Sequence, residues 1–196
     1  MRKIFFTLAL TSLASSAMAS DKIKAVASFS ILGDFVQQVC AAKCEITTIV
    51  GPDADAHVYE PTAADALAVA NADIIFVNGL GFETWSADLI ENSGTKAETV
   101  KVNTSANVLM VEGKADPHAW NDPSNVKSML GIIAGKLGEL DTNGARIFKL
   151  KAAQYGRKLD AAVKGFEDRL AALPADRRTV VTAHDAFGYL GRAMGL

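Results

Sequence analysis

The sequence predicts an α/β protein: a parallel sheet flanked by helices in a first lobe, then a long rigid helix and the start of a second α/β lobe. Three observations carry this prediction. Short β-branched or apolar runs alternate with amphipathic segments, a pattern typical of βαβ units. One run, Ile74–Val77, is apolar throughout, as expected of a strand buried on both faces. Residues 145–173 contain no proline and carry apolar residues at helical spacing.

The first lobe has four predicted strands, at residues 24–29, 45–50, 74–77 and 99–102. A helix with Ile31, Phe35 and Val39 on one face follows the first strand, and shorter helices follow the second and third, at 61–71 and 85–92. Crossovers between parallel strands are right-handed, and ligands bind beyond the carboxyl ends of such strands. The loop that leaves the second strand carries His57, so this residue is predicted at the ligand-binding edge.

The second half of the chain is predicted to be mainly helical. Asp122 and Pro123 begin a helix as N-cap and first residue, and its apolar face is formed by Met129, Ile132, Ile133 and Leu137. The helix over 145–173 would be about 40 Å long, enough to pass from one lobe to another. Residues 179–182 are predicted to form a new strand, with His184 leaving its carboxyl end.

These elements divide the chain into four predicted regions: a signal peptide at 1–19, an N-terminal lobe at 20–142, a connecting helix at 143–173, and the start of a C-terminal lobe at 174–196. One strand and one helix cannot bury their own apolar faces. We therefore expect that most of the second lobe is missing from this sequence and that apolar surface is exposed around Val180 and Phe187.

The first nineteen residues have the features of an export signal. A basic start (Met1 to Lys3) precedes an apolar run at 4–13 and the small-residue cleavage site at 17–19, so cleavage is predicted after Ala19. The apolar run is too short to span a bilayer, and the absence of cysteine at the cleavage point argues against a lipid anchor. The net charge of −2 and the lack of a basic run argue against nucleic acid as a partner.

Cys40 and Cys44 lie four residues apart at the end of the first predicted helix. Export to an oxidising compartment permits a disulfide, which would close a small loop before the next strand. Free thiols and a metal-binding pair are the alternatives, although a Cys-x-x-x-Cys spacing without a nearby histidine is a weak zinc signal. We favour a structural disulfide.

The three histidines of the chain, His57, His118 and His184, all lie in loops that leave predicted strands or are flanked by proline. Imidazole is a good ligand for zinc and neighbouring divalent metals, and three such ligands leave room for a fourth group. A lone exposed histidine is more often a solvated side chain, and His184 could equally be a hydrogen-bonded core residue. Because no histidine lies outside this pattern, we predict that the three bind a metal ion together.

The motifs around the histidines resemble those of the solute-binding proteins of metal-specific ABC transporters, the zinc/manganese family that includes adhesin-type lipoproteins. The matching segments are VGP at 50–52, HVYEP at 57–61, NGLGFETW at 78–85, DPHAWNDP at 116–123 and TAHDAFGY at 182–189. They occur in the family's order along the whole chain after the signal peptide.

The resemblance implies two α/β lobes joined by one long helix, with the metal in the cleft between them. His57 and His118 match the ligands of the first lobe, and His184 matches the first ligand of the second. The implied protein is a periplasmic monomer that delivers a divalent metal to a membrane permease. Members that favour manganese often have glutamate at the position of His184, so zinc is favoured, with manganese next and iron possible.

Three departures from the family leave the metal open. Residues 107–115, which correspond to a histidine-rich loop of many zinc members, contain no histidine. The usual fourth ligand, an aspartate far along the second lobe, lies beyond Leu196, so weaker metal binding is expected of this chain than of a full-length relative. In addition, Ala56 stands where some zinc members have an acidic residue.

Two other functions are weighed against metal transport. Three histidines and a water also describe a zinc-dependent hydrolase, but the sequence has no His-Glu-x-x-His motif and no obvious general base. An adhesin-type interaction protein rests only on analogy with relatives. We therefore expect a binding protein and not an enzyme.

Overall fold

Four parallel strands form the central sheet. The computed structural model describes residues 22–104 and 107–196, so the predicted signal peptide and its cleavage site lie outside the described residues. The strands are β1 (Ile23–Phe29), β2 (Cys44–Val50), β3 (Ile74–Val77) and β4 (Glu98–Lys101), in the order β2-β1-β3-β4. All three pairings are parallel. The four strands predicted from the sequence are confirmed, with bounds that differ by one residue at most.

Helices cover both faces of this sheet. They are α1 (Ser30–Cys40), α2 (Ala63–Ala70), α3 (Ser86–Ser93), α4 (Pro123–Leu140), α5 (Ala145–Ala171) and α6 (Gly188–Met194). Helices α2 and α3 pack together on one face, where Val69 and Leu89 lie beside Val26 and Ile75 of the strands. Helices α1, α4 and α5 pack together on the other face. The predicted α/β architecture is therefore confirmed.

The strand order creates a crevice at one edge of the sheet. The chain leaves β1 toward β2 on one side and leaves β3 toward β4 on the other, so the connections diverge between β1 and β3. Ligands of open α/β sheets bind beyond the carboxyl ends of the strands at this point. Phe29 ends β1 there, and residues 78–82 leave β3 beside it.

Helix α1 buries a different face from the one predicted. Phe35 and Val39 are buried as expected, but Ile31 is 38% exposed. Leu32 and Val36 complete the buried stripe instead, because they lie one residue further round the helix and face the sheet. Ile31 lies in the first turn and lines the crevice.

A disulfide joins Cys40 and Cys44 across a single 3₁₀ turn, Ala41–Lys43. Both cysteines are buried in the core, with Cα atoms 5.8 Å apart. The disulfide that we favoured among the three alternatives is therefore the one observed. It fixes the reversal between α1 and β2 and leaves neither sulfur available to a metal.

The long helix α5 ends two residues earlier than predicted and packs against α1 and α4. Its Phe148 is fully buried, and the Tyr155 hydroxyl donates a hydrogen bond to Asp34 of α1 at 3.1 Å. Across the described ranges, no helix combines the length and the apolar character that a bilayer crossing requires.

The strand predicted at residues 179–182 is wrong for this structure: the segment has no regular secondary structure. Val180 and Val181 are 60% and 92% exposed. A strand needs a neighbour to satisfy its backbone groups, and none of the strands in the described residues pairs with this segment. The predicted exposure of apolar surface around Val180 and Phe187 is confirmed, since Phe187 is 44% exposed.

A short hairpin that the sequence did not reveal precedes the central histidine. Strands β5 (Met110–Val111) and β6 (Lys114–Ala115) pair antiparallel. The two turn residues, Glu112 and Gly113, both have positive φ angles (50° and 79°), which suits the right-handed twist of a two-residue hairpin turn. The hairpin returns the chain to Asp116, two residues before His118.

The predicted N-cap of α4 is confirmed and ties this helix to α6. The Asp122 carboxylate accepts hydrogen bonds from the backbone N–H of Ser124 at 2.8 Å and from its hydroxyl at 2.6 Å. It also lies 3.1 Å from the Arg192 guanidinium. Burial alone would raise the pKa of Asp122, but the hydrogen bonds from Ser124 and Arg192 outweigh it and lower the pKa below its ordinary value.

We expect Asp122→Ala to lower the free energy of unfolding by about 1 kcal/mol at neutral pH, the usual cost of losing an N-cap. Because the folded-state pKa is lowered, this contribution is present above the unfolded pKa of about 4 and is lost as the pH falls through the folded value. Urea unfolding at several pH values tests this. Ser128→Ala, a change at a half-buried hydroxyl one turn further along the same helix, is the control, and an equal loss in both variants would contradict the capping role.

Candidate metal centre

The three histidines meet in the crevice beyond the carboxyl ends of the strands. Nε2 of His118 lies 3.1 Å from Nε2 of His57 and 3.1 Å from Nε2 of His184. One ring nitrogen from each residue lies within 4.8 Å of the other two. His118 is buried, His57 is half-buried and His184 is exposed, so the cluster runs from the protein interior to the surface.

The two separations of 3.1 Å match those expected between nitrogen ligands around one metal ion. Zinc–nitrogen bonds of about 2.0–2.1 Å place two ligands of a tetrahedral ion about 3.3 Å apart, and a right-angled arrangement would place them about 2.9 Å apart. The observed 3.1 Å lies between these values. This distance therefore fits two ligands of one ion, in either a tetrahedral or a right-angled arrangement.

Asp116 orients the His118 ring. Its Oδ1 lies 2.7 Å from Nδ1 of His118 and also accepts a hydrogen bond from the His118 backbone N–H at 2.9 Å. With the Nδ1 proton held by this carboxylate, the lone pair of Nε2 points toward the other two histidines. A carboxylate on the far ring nitrogen fixes the tautomer of a metal-binding histidine and raises its basicity.

The Asp116–His118 loop is in turn held from two sides. The Asn78 side chain donates to the carbonyl of Pro117 at 2.9 Å. The hydroxyl of Tyr189, which is fully buried, donates to the carbonyl of Asp116 at 2.7 Å and accepts from the backbone N–H of Leu109 at 3.0 Å. These hydrogen bonds fix the backbone of the loop and therefore the position of the His118 ring.

His57 lies in an irregular loop that is braced at its base. The indole N–H of Trp85 donates to the carbonyl of Ala56 at 2.8 Å, and the carboxylate of Asp55 accepts from the backbone N–H of His57 at 2.8 Å. Burial, followed by the nearby His118 and His184, lowers the pKa of His57 against an opposing effect of Asp55. A lowered pKa keeps the imidazole neutral, which is the form that binds metals.

His184 approaches from the segment between α5 and α6. The Asn121 side chain donates to the carbonyl of Ala186 at 2.8 Å, and the Arg192–Asp122 ion pair holds α6 to the start of α4. The hydroxyl of Thr182 donates to the carbonyl of His184 at 2.9 Å. This segment is therefore docked against the loop of His118 although the His184 side chain itself is exposed.

Aromatic rings form the inner wall of the cluster. The ring of Phe82 lies 4.6 Å from His57, and Trp120 lies 4.8 Å from Phe82 and 5.3 Å from His118, measured between centroids. Phe29 packs on both Phe82 and Trp120. The crevice that contains the three histidines has a volume of about 540 Å³. These apolar walls limit the access of water to the buried side of the cluster.

A buried carboxylate shapes the turn that carries Phe82. Glu83 accepts hydrogen bonds from the Ser28 hydroxyl and the Asn78 N–H, both at 2.5 Å, and from the Gly79 N–H at 3.1 Å. Gly79 and Gly81 have positive φ angles of 83° and 76°, which glycine adopts without strain. The NGLGFE segment thus forms a tight turn that positions Phe82 against His57.

The sequence identified the three histidines, and the structure brings them together. It did not identify Asp116 as the partner of the His118 ring, although an aspartate two residues before a histidine commonly bonds to the local backbone. Asp185, which directly follows His184 in the sequence, lines a separate surface hollow with Val180 and Leu190. The roles of Trp85 and Tyr189 depend on contacts between distant segments and had no local signal.

With this geometry established, comparison with known proteins identifies the family. Residues 25–196 match the family described as zinc-uptake complex component A, periplasmic. The chain belongs to this family. The match covers all four strands except for the start of β1, and it includes the three histidines.

The relatives within this family differ in the metal that their names state. The manganese-binding lipoprotein MntA of Halalkalibacterium halodurans is 36% identical over 175 residues, which are 88% of this chain and 58% of that protein. The iron-binding protein YfeA of Yersinia pestis is 30% identical and is aligned over 98% of this chain and 66% of its own length. The chain spans about three fifths of the length of the curated relatives it matches.

Solved structures of periplasmic metal-binding proteins have a similar fold. The manganese-bound periplasmic metal binding protein from Candidatus Liberibacter asiaticus superposes with a TM-score of 0.82 at 29% identity, over 89% of this chain and 66% of that one. A crystal structure of ZnuA superposes with a TM-score of 0.84 at 24% identity, over 90% of this chain and 69% of that one, which supports the fold alone. Both agree with the α/β architecture described above.

Proposed function

We propose that this chain captures a divalent transition metal through His57, His118 and His184. The observation that carries the proposal is the convergence of their three Nε2 atoms, with both distances to His118 at 3.1 Å. Without an ion, Nε2 of His118 can accept a hydrogen bond from a protonated Nε2 of His57 or His184, because its own ring proton lies on Nδ1 beside Asp116. With a divalent ion, the three Nε2 lone pairs can instead form three coordinate bonds.

We further propose that the protein of which this chain is part delivers the metal to the permease of an ABC transporter from the periplasm. Support comes from the family match and from relatives named as ABC transporter substrate-binding lipoproteins. Residues 20–142 would form the first lobe, residues 143–173 the connecting helix, and residues 174–196 the beginning of the second lobe. A leader cleaved after Ala19 would export the protein, which would act as a monomer.

Among metals, we propose zinc first and manganese second. Three nitrogen donors form the kind of ligand set that zinc binds, whereas manganese prefers more oxygen ligands. The names of relatives include manganese and iron, so the ligand set must be tested directly. Iron has the same imidazole preference and is the third candidate.

We propose binding without catalysis. A metal hydrolase needs a carboxylate free to act as a general base on a metal-bound water. Asp116 is engaged by the His118 ring and backbone, and Glu83 is turned toward the N–H groups of Asn78 and Gly79. These buried carboxylates therefore serve to orient the site.

Calorimetric titration of the metal-free chain with zinc, and separately with manganese, tests this proposal. We expect one ion per chain, with zinc displacing manganese in a competition titration. Each imidazole must be neutral to bind, so affinity should fall as the pH is lowered through the histidine range. Absence of stoichiometric binding of either ion would overturn the proposal, and metal-dependent hydrolysis of peptide or ester substrates would revive the enzymatic alternative.

A further inference from the structure

A cationic face on the first half of α5 stands apart from the metal centre. Residues 145–159 contain five basic residues and no acidic residue, in a chain whose net charge is −2. They are Arg146, Lys149, Lys151, Arg157 and Lys158. Within the described part of the chain, none of the five lies within ion-pair distance of an acidic group, whereas Lys127, Lys136 and Lys164 all do.

Helical spacing places four of these cations on the side of α5 that faces away from the core, whereas Lys149 lines the groove between α4 and α5. Arg146, Leu150 and Arg157 recur at intervals of four and seven residues, so they form one line along the helix. Ile147, Lys151 and Lys158 form a second line next to it by the same spacing. The opposite side of α5 is anchored in the protein by buried residues, among them Phe148 and Gly156.

The same face exposes apolar side chains between the charges. Leu150 is 46% exposed and Ile147 is 38% exposed. Residues 145–159 extend over about 22 Å of helix, so the face is long and straight. Along one edge it borders a groove of small residues between α4 and α5, where Lys127 is paired with Asp160 at 2.7 Å.

We propose that this face docks on an anionic membrane surface. A straight helix that presents basic groups with leucine and isoleucine between them has the composition of an interfacial helix, and each basic residue near an anionic bilayer adds to binding. A fluid layer of headgroups adapts to a convex face, whereas a protein partner would need a matching concave surface. Docking would hold the protein flat against the bilayer through α5 and leave the crevice of the three histidines free.

Vesicle co-sedimentation tests the proposal with the chain from Ser20 to Leu196, which keeps every described residue and lacks the apolar leader. We expect this chain to bind vesicles of phosphatidylglycerol and phosphatidylcholine at low salt but not vesicles of phosphatidylcholine alone. Raising the salt from about 50 mM to about 500 mM should release it, because the Debye length then falls well below the depth of the charged layer.

The matched variants carry the same change of charge at different places. R146Q/R157Q/K158Q removes three cations from the face, and we expect its affinity for the anionic vesicles to fall by about tenfold to a hundredfold. K22Q/K96Q/K114Q removes three exposed cations elsewhere and should bind within about twofold of the parent chain. Leu150→Ser should lower the affinity for anionic vesicles by less than R146Q/R157Q/K158Q does. Circular dichroism melting verifies that each variant is folded.

Three results would overturn the proposal. The parent chain could bind both kinds of vesicle equally or neither, the two triple variants could lose affinity equally, or binding could survive high salt unchanged. Binding to soluble polyglutamate but not to vesicles, abolished in R146Q/R157Q/K158Q, would assign the face to an acidic protein instead. None of these outcomes depends on metal binding, so the membrane proposal and the metal proposal can fail separately.

Discussion

Replacement of His118 by alanine is expected to remove most of the affinity for metal. Its Nε2 lies 3.1 Å from the Nε2 atoms of both other histidines, so it is central to the ligand set. A four-ligand zinc site contributes about 10–16 kcal/mol, or about 2.5–4 kcal/mol for each ligand if shared evenly. Loss of one ligand should therefore weaken zinc binding by about 70-fold to 900-fold, measured by calorimetry in competition with a chelator of known affinity.

His118 is buried, so its replacement could also act through the fold. Two measurements separate these effects. The melting temperature of the metal-free variant reports the stability of the fold, and the further rise on adding zinc reports binding. His184→Ala provides the graded comparison: this side chain is exposed and its removal leaves the His57–His118 pair in place, so we expect a smaller loss. Stoichiometric zinc binding by His118→Ala with unchanged affinity would rule out the proposed site.

Replacement of Asp116 by asparagine is the second change with a large expected effect. The amide has the same shape as the carboxylate, but it cannot provide the charge that fixes the Nδ1 proton of His118. Loss of such a partner typically lowers metal affinity by about 10-fold to 100-fold. Calorimetry measures the loss, and ¹⁵N chemical shifts of the imidazole show whether the population of the Nδ1–H tautomer of His118 has fallen.

Asp55→Asn is the matched control for this experiment. It removes the same charge beside the same cluster, but Asp55 accepts its hydrogen bond from the backbone of His57 and not from a ring. If Asp116 acts by orienting the ring, Asp55→Asn should lower the metal affinity by less than about threefold. An effect of that size is expected from a screened surface charge. An equal loss in both variants, with no change of tautomer, would mean that negative charge near the site is all that matters.

Local signals in the sequence were sufficient for most of the first lobe. The apolar run of β3, the Asp122-Pro123 start of α4 and the proline-free α5 were all predicted within two residues, because each depends on nearby residues. The predicted strand at 179–182 was wrong because β-branched composition measures a preference, whereas a strand requires a partner. Ile31 was misplaced for a related reason: spacing defines a face, and tertiary packing decides which face is buried.

The sequence by itself predicted the residue types of the candidate metal centre. Only three histidines exist in the chain, and each belongs to a family motif, so their selection needed no coordinates. The tertiary structure decided how they act. It placed their Nε2 atoms within coordination distance, assigned Asp116 to the His118 ring, and used Tyr189 and Asn121 to bind the His184 segment to the His118 loop. Apart from the Asp116–His118 pair, these contacts join segments more than sixty residues apart. Only the folded chain brings such segments together, so their pairing leaves no trace in local sequence.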